Sequence, residues 1–190
     1  MRLLTALGLT AALLLSAEPA AALNAPTLRT KSVCLKEAKR LYNPNNPANL
    51  KNCNLRNANL QRLELHYADF RGADLRGANL SRSRGAQANF GGADLRGANF
   101  TNAMFSFSRF TDSKMRNAKF WYADLSYSNF VWVNFSYADF FNADLTYADL
   151  SFSSGTHADF SFADLTCADM TGARIYATQI GTTIEDCSYP

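Results

Sequence analysis

A five-residue pattern runs through most of the chain and limits the folds that it can adopt. Among the positions whose numbers are multiples of five, from 50 to 180, Leu, Phe, Met or Ile occupies 25 of 27. Ala stands two residues before 18 of these 27 positions, and Asp or Asn directly precedes 18 of them. A strand repeats every second residue and a helix about every 3.6 residues, and neither period generates this pattern. The pattern therefore predicts a repeat architecture.

The spacing within each repeat predicts the path of the chain. A large residue and a small one that are two apart point to the same side, as they do on a strand. The next such pair lies on a new side, so the chain turns within every five residues. Asp and Asn suit those turns because their side chains hydrogen-bond to nearby backbone. A closed coil with four sides then uses twenty residues, and the large side chains fill its axis.

The motif of a small residue, Asp or Asn, Leu or Phe and two variable residues stands as ADLRG at 73–77 and 93–97, ADLSY at 123–127 and ADLTY at 143–147. In this motif the chain resembles the pentapeptide repeat proteins. The resemblance implies an all-β solenoid, a right-handed quadrilateral β-helix, without catalytic residues. Twenty-seven repeats at four to a coil predict about seven coils.

The chain divides into four expected parts. Residues 1–22 have the layout of a secretory signal peptide, with Arg2, an apolar run and three alanines at 20–22. The alternative is an N-terminal membrane anchor, for which the run is short. Residues 23–45 are expected to form an N-terminal cap with a short helix, residues 46–180 the β-helix, and residues 181–190 a C-terminal cap or tail. No membrane-spanning segment is expected after signal cleavage.

An even number of cysteines in an exported chain favours disulfides. Proximity along the chain favours Cys34 with Cys53 and Cys167 with Cys187, one of three possible pairings. The first bond would attach a helix within residues 30–42, with Val33, Leu35, Ala38 and Leu41 on one face, to the first coil. The second would hold the tail over the last coil.

A period of twenty predicts which side chains stack inside the coil. One internal column should contain Phe100, Phe120, Phe140 and Phe160, and another Phe70, Phe90, Phe110 and Phe130. Gly85 and Gly155 interrupt two other columns. We interpret both as bulges or packing adjustments, with a ligand cavity as the alternative.

The charge is distributed unevenly along the chain. Residues 23–119 contain 17 Lys or Arg and 6 Asp or Glu, a net +11, whereas residues 120–190 contain 1 and 9, a net −8. One outward column is a basic ladder of Arg56, Arg76, Arg96 and Arg116. We expect it to pair with Asp74 and Asp94, and the alternative is a basic stripe for an acidic partner or an anionic lipid surface.

Outward aromatic residues are concentrated in the acidic second half. The candidate interaction surface contains Trp121, Tyr122, Tyr127, Trp132, Tyr137, Phe141, Tyr147 and Phe152. These residues are either ladders that stabilise the coil by stacking across neighbours or a contact site for a partner.

The sequence contains no pattern of catalytic, metal-ligating or cofactor-binding residues, so we expect neither an enzyme nor a cofactor or metal. The favoured function is a scaffold or protein–protein interaction module whose partner is an unknown protein or another copy of the chain. The alternative is a β-helix that binds a polysaccharide or small ligand. The resemblance also implies a less favoured role, that of an acidic nucleic-acid mimic that modulates a topoisomerase. Export and the +11 segment argue against that role and against a nucleic-acid partner. The resemblance further suggests the periplasm or the thylakoid lumen.

Overall fold

The computed structural model describes residues 29–40, 42–176, 179–180 and 187. Its elements are α1 (Lys31–Ala38), β1 (Ser154–Thr156), β2 (Asp159–Phe160), β3 (Arg174–Tyr176) and β4 (Gln179–Ile180). The expected signal peptide at 1–22 and the expected tail at 181–190, apart from Cys187, lie outside the described residues. Across the part that is described, no helix has both the length and the apolarity needed to cross a bilayer.

Parallel bridges between residues twenty apart hold the coils together. One ladder starts with Asn49 opposite Asp69 and others with Asn54, Asn59 and Glu64, each opposite the residue twenty further on. The strand pairs β1–β3 and β2–β4 continue the same register, with Ser154 opposite Arg174 and Asp159 opposite Gln179. Four ladders, five residues apart, give the coil its four sides.

A tight turn separates each side from the next. In a representative turn the N–H of Ala73 donates to the carbonyl of Phe70 at 2.9 Å, and Gly72 between them has a φ of +64°. In a type II turn of four residues, the N–H of the fourth residue donates to the carbonyl of the first, and the third residue has a positive φ. The preceding Asp or Asn supports the turn, since Oδ1 of Asp69 accepts the N–H of Arg71 at 3.0 Å. We call the residue at positive φ, two after each large residue, the corner residue.

The two predicted phenylalanine columns are confirmed. Rings twenty residues apart stack nearly parallel, as for Phe90 and Phe110, whose centroids lie 4.9 Å apart with planes at 2°. The other column repeats this geometry, with Phe140 and Phe160 at 4.8 Å and 2°. Rings of the two columns meet edge to face, which is a favoured arrangement for aromatic pairs. The core is therefore a continuous stack along the axis.

The two glycines of the core leave no cavity. A Cβ added to Gly85 would overlap the ring of Phe105, and one added to Gly155 would lie 2.5 Å from the ring of Phe135. Each glycine therefore accommodates a phenylalanine of the neighbouring coil, in line with the packing interpretation. Close packing of this kind leaves no space for a ligand.

At the N-terminal end, α1 packs on the first coil. Cys34 and Ala38 are buried, and the Cα atoms of the disulfide between Cys34 and Cys53 lie 5.8 Å apart. The helix is shorter than expected, and the prediction that Val33 faces the core was wrong, because its side chain is 53% exposed. The disulfide turns the face of Cys34 inward and leaves Val33 outside.

At the other end, the structure joins Cys167 to Cys187 with their Cα atoms 5.0 Å apart. The two residues are twenty apart in the sequence, and Cys167 is itself a corner residue with a φ of 58°. The two disulfides have the pairing that the sequence favoured.

A double-mutant cycle tests the packing at Gly85. We expect Gly85→Leu to lower the free energy of unfolding by about 1–3 kcal/mol because it overpacks the site against Phe105. Combining it with Phe105→Leu should recover most of that loss, since the column then becomes leucine throughout from 65 to 125. Urea unfolding of the four proteins measures the coupling. Additive effects would contradict this packing account.

Candidate interaction surface

Many of the corner residues are exposed aromatic side chains. Nine aromatic residues have a positive φ between 54° and 61°: Tyr67, Phe107, Tyr122, Tyr127, Trp132, Tyr137, Tyr147, Phe152 and Phe162. Seven of the nine follow residue 120. The other corners described before residue 120 hold glycine at 72, 77, 92 and 97, asparagine at 52, 57, 102 and 117, and Arg62, Arg82, Gln87 and Asp112.

An aromatic residue is a costly choice for a corner. A residue with a Cβ in the left-handed region loses roughly 1–2 kcal/mol through contact with backbone oxygen, whereas Gly and Asn tolerate this conformation. Stacking of neighbouring rings recovers about 0.5–1.5 kcal/mol for each pair. Strain and stacking are therefore of similar size, so stability alone does not explain the aromatic corners.

The exposed rings contact one another along the edges of the coil. On the first edge, Tyr127 stacks between Phe107 and Tyr147, with both centroid distances at 4.8 Å. On the second, Trp132 stacks on Phe152 at 4.9 Å.

The other two edges also carry ring contacts. On the third edge Tyr137 stacks on His157 at 4.9 Å. On the fourth, Phe141 meets Tyr122 at 5.7 Å and Phe162 at 5.5 Å, both edge to face.

The eight residues predicted as one interaction surface are thus distributed over all four edges. Residues five apart lie on successive edges, so Tyr122, Tyr127, Trp132 and Tyr137 encircle the coil. What they share is a height along the axis, and the surface is a belt around the second half. We call it the aromatic belt.

On the fourth edge, aromatic rings and carboxylates of the described residues line one cleft together. This cleft, of about 330 Å³, is lined by Trp121, Tyr122, Phe141, Asp139 and Asp159. The rings of Tyr122 and Phe141 stand at 77° and form two walls. We call it the aromatic cleft.

The two carboxylates of the cleft are also turn residues. Oδ1 of Asp139 accepts the N–H of Phe141 at 3.1 Å, and Oδ1 of Asp159 accepts the N–H of Ser161 at 2.8 Å. The same turn bonds that shape the backbone therefore orient the carboxylates beside the rings.

Sequence reasoning did not find the contacts between cations and these rings. Nζ of Lys119 lies 5.4 Å from the ring centroid of Trp121, and the guanidinium carbon of Arg116 lies 4.9 Å from that of Tyr137. Both distances are within the range of cation–π attraction. Column spacing was a usable signal for the second pair, since Arg116 lies one position before the column of Tyr137. The first pair depends on a side-chain conformation that spacing does not specify.

The basic ladder is partly neutralised, by the pairs expected from the spacing. Nη2 of Arg76 lies 2.5 Å from Oδ2 of Asp74, and Nη2 of Arg96 lies 2.6 Å from Oδ2 of Asp94. Arg76 also reaches Asp94 at 3.7 Å. The hydrogen bond from the Arg76 side chain lowers the pKa of Asp74 below its usual range, although burial opposes the effect.

The carboxylates that the structure describes in the second half have no such partners. Within the described residues every salt bridge involves residues between 37 and 96, and none involves an aspartate beyond residue 120. Asp164 and Asp169 are held by hydroxyls instead. Hydrogen bonds from the side chains of Thr166 and Thr171 lower the pKa of the two carboxyls. The negative charge of this half is therefore open to a partner.

A metal site is not evident in the same region. In the ranges that the structure describes, no group of three or more His, Cys, Asp or Glu side chains is arranged to hold a metal ion.

Four parallel ladders joined by type II turns define a repeat solenoid of the four-sided β-helix class. A profile described as "Pentapeptide repeats" matches eight copies, over residues 48–82, 86–117, 113–151 and 134–172. The chain therefore belongs to the pentapeptide repeat family, whose proteins fold as right-handed quadrilateral β-helices and are generally non-enzymatic.

Solved structures similar to the chain include HetL, a pentapeptide repeat protein involved in heterocyst differentiation regulation from the cyanobacterium Nostoc sp. strain PCC 7120. It is 24% identical, with a TM-score of 0.45, and the match covers 68% of this chain and 73% of HetL. A pentapeptide repeat protein of the Arabidopsis thaliana thylakoid lumen is 29% identical, with a TM-score of 0.46 and coverage of 54% and 68%.

QnrB1, a plasmid-mediated fluoroquinolone resistance protein, is 18% identical, with a TM-score of 0.42 and coverage of 67% and 84%. None of these TM-scores reaches 0.5, so the likenesses carry no argument about function. The comparison with curated proteins gave no significant match.

Two corner substitutions separate strain from stacking. Tyr67 has no ring partner among the described residues, so Tyr67→Asn should leave the free energy of unfolding unchanged or raise it by up to about 1 kcal/mol. Tyr127→Asn relieves the same strain but loses two stacked pairs, and should lower it by up to about 1–2 kcal/mol. Urea unfolding measures both. Equal effects of the two substitutions would refute a stabilising role for the stacks.

The pairing of Asp74 with Arg76 predicts a dependence on pH. Because the pKa of Asp74 is lowered in the folded state, its stabilising effect is complete above the unfolded pKa, at about pH 4, and is lost as the pH falls through the folded pKa. Asp74→Asn, which keeps a turn acceptor, should be less stable than the wild type at pH 7. The gap should narrow below pH 4, as urea unfolding at several pH values would show. Arg76→Gln should behave alike, and a gap that does not change with pH would argue against the pair.

Proposed function

We propose that the protein is a non-enzymatic scaffold or protein–protein interaction module of an exported compartment, the periplasm or the thylakoid lumen. The observation that carries this proposal is the aromatic belt. Its corner residues occupy positions where glycine and asparagine are less strained, and Tyr122, Tyr127 and Trp132 are between 49% and 62% exposed. Exposed aromatic residues in such numbers are typical of contact sites.

The charge around the belt indicates the kind of partner. Carboxylates that lack cationic partners favour a basic partner surface and repel nucleic acid. The partner is an unidentified protein or a second copy of the chain, whose +11 and −8 segments complement each other when two coils pair antiparallel. The same +11 segment argues against a mimic of acidic nucleic acid.

The ends of the coil are proposed to be caps. At the N-terminal end, the burial of Cys34 and Ala38 against the first coil supports the interpretation of α1 as a cap. Solenoid ends need such caps because they expose an apolar cross-section. The ladder through seven residues from Asn49 to Asp169 supports about seven coils. The cleaved signal peptide at 1–22 and the C-terminal cap remain part of the proposal.

One observation favours a second candidate, a β-helix that binds a polysaccharide or small ligand. The aromatic cleft combines flat rings with carboxylate acceptors, a combination that also suits a sugar ring. Screening a glycan array with the wild type, Trp121→Ala and Trp132→Ala distinguishes this candidate from the first.

The experiment that tests the interaction module uses substitutions that keep the turns intact. The triple variant Tyr127→Asn, Trp132→Asn and Tyr147→Asn removes belt rings, and Tyr67→Asn is the matched corner control outside the belt. Partners captured from the native compartment are identified, purified and titrated against each protein. We expect binding to the triple variant to weaken roughly tenfold or more and binding to the control to be unchanged.

Self-association is measured separately, by scattering at low and high salt. An antiparallel pair held by opposite charges should dissociate as salt rises. A monomer at both salt concentrations, together with equal binding of the purified partner to wild type and triple variant, would overturn the proposal.

A further inference from the structure

The aromatic cleft has the composition of a site for an organic cation. Three aromatic rings and two carboxylates line it, and no Lys or Arg is among the lining residues. The face of an aromatic ring is negative and attracts cations, and cages of several rings bind quaternary ammonium groups. At about 330 Å³ the cleft is near the lower end of the range for small-ligand sites, which suits a single headgroup.

The carboxylates add charge to the rings. Asp139 and Asp159 are paired in register across neighbouring coils, so both carboxylates lie on one side of the cleft. Each uses Oδ1 for its turn, and neither forms a salt bridge with any described residue. A cation between rings and carboxylates would therefore be attracted by both.

Trp121 shows that a ring on this edge already attracts a cation. It lines both the aromatic cleft and a neighbouring polar cleft of about 300 Å³. Lys119 lines the polar cleft and places its Nζ 5.4 Å from the Trp121 ring centroid. Lys119 therefore places a cation beside Trp121 on the side of the polar cleft, whereas no lysine or arginine lines the aromatic cleft.

We propose that the aromatic cleft binds an alkylammonium or guanidinium group, presented by a lysine or arginine side chain of the partner protein. The identity of the ligand rests on the proposed function, because a free ammonium compound has the same chemistry and would bind without a partner protein. A basic side chain is favoured because the whole surrounding half is negative and would orient a basic protein segment.

Tryptophan fluorescence offers a direct measurement. The chain has two tryptophans, so Trp132→Phe leaves Trp121 as the single reporter inside the cleft, and Trp121→Phe leaves Trp132 as the control reporter on another edge. The probes are choline, its neutral isostere 3,3-dimethyl-1-butanol, peptides that carry arginine or citrulline at one position, and a neutral oligosaccharide. Ligand-observed NMR provides a second readout.

We expect both cations to change the fluorescence of Trp121. Choline should bind with a dissociation constant on the order of millimolar, and the arginine peptide should bind more tightly. The neutral isostere and the citrulline peptide should bind roughly five- to thirty-fold more weakly. The Trp132 reporter should not respond. Stronger binding of choline than of the arginine peptide would assign the cleft to a free ammonium compound and would overturn the side-chain assignment.

Variants that preserve the fold identify the contacts. Asp139→Asn combined with Asp159→Asn keeps the turn acceptors, because asparagine serves the same role at 89 and 99. Phe141→Ser introduces the residue type found at 81 and 161 in the same column. We expect both to weaken cation binding roughly five-fold or more, whereas Asp144→Asn, outside the cleft, should not.

The outcomes separate this inference from the proposed function. Equal binding of cation and isostere, binding of the oligosaccharide instead, or silence in both readouts would overturn the inference even if a purified partner still binds the belt. If the cleft binds cations but no protein partner is found, the cation site is supported. Its assignment to a partner's side chain and the proposed interaction module would then both be overturned.

Discussion

Backbone hydrogen bonds join each side of the coil to the next coil, as between the N–H of Leu50 and the carbonyl of Asp69 at 2.8 Å. Because these bonds fix a register of twenty residues, each side chain has one fixed neighbour above and one below. Internal columns of phenylalanine and external columns of tyrosine are two results of the same rule. No single repeat holds itself together, since burying one large side chain contributes about 1.5–3 kcal/mol and ordering five residues costs about 5–10 kcal/mol. Stability is therefore collective, as in other solenoids.

The corner positions show where this collective stability leaves freedom for function. Every corner requires a positive φ, and glycine meets that requirement at 72 and 77 without strain. Seven corners of the second half instead carry Tyr, Trp or Phe rings, whose strain is only about matched by stacking. The regular ladder on either side of a corner absorbs that strain. Natural proteins commonly accept such local costs at the surfaces that they use, which links the fold to the belt without any catalytic machinery.

The sequence predicted the features that depend on period alone. The twenty-residue register, the phenylalanine columns and the pairing of Arg76 with Asp74 follow from counting positions. The glycines at 85 and 155 were interpretable by the same count, since each has a phenylalanine directly above or below it. Counting did not reveal that the corners have positive φ or that Lys119 lies over Trp121, because these depend on turn type and side-chain conformation. The distribution of the belt over four edges, by contrast, follows from the five-residue spacing of its members. The predicted orientation of Val33 was wrong, because the disulfide of Cys34, and not the apolar pattern, decides which side of α1 faces inward.

The change of charge along the chain and the position of the aromatic cleft have a common origin in the column structure. On the fourth edge, the column that contains Lys119 continues into Asp139 and then Asp159 in successive coils. Trp121 lies at this boundary, with the lysine nearer the polar cleft and the aspartates in the aromatic cleft. The field across the ring therefore has a direction. It repels a further cation from the polar cleft, where Lys119 is already present, and attracts one into the aromatic cleft. The preference for a cation arises from the order of three residues in one column, and a coil with the same rings but with asparagine at 139 and 159 would lose most of it.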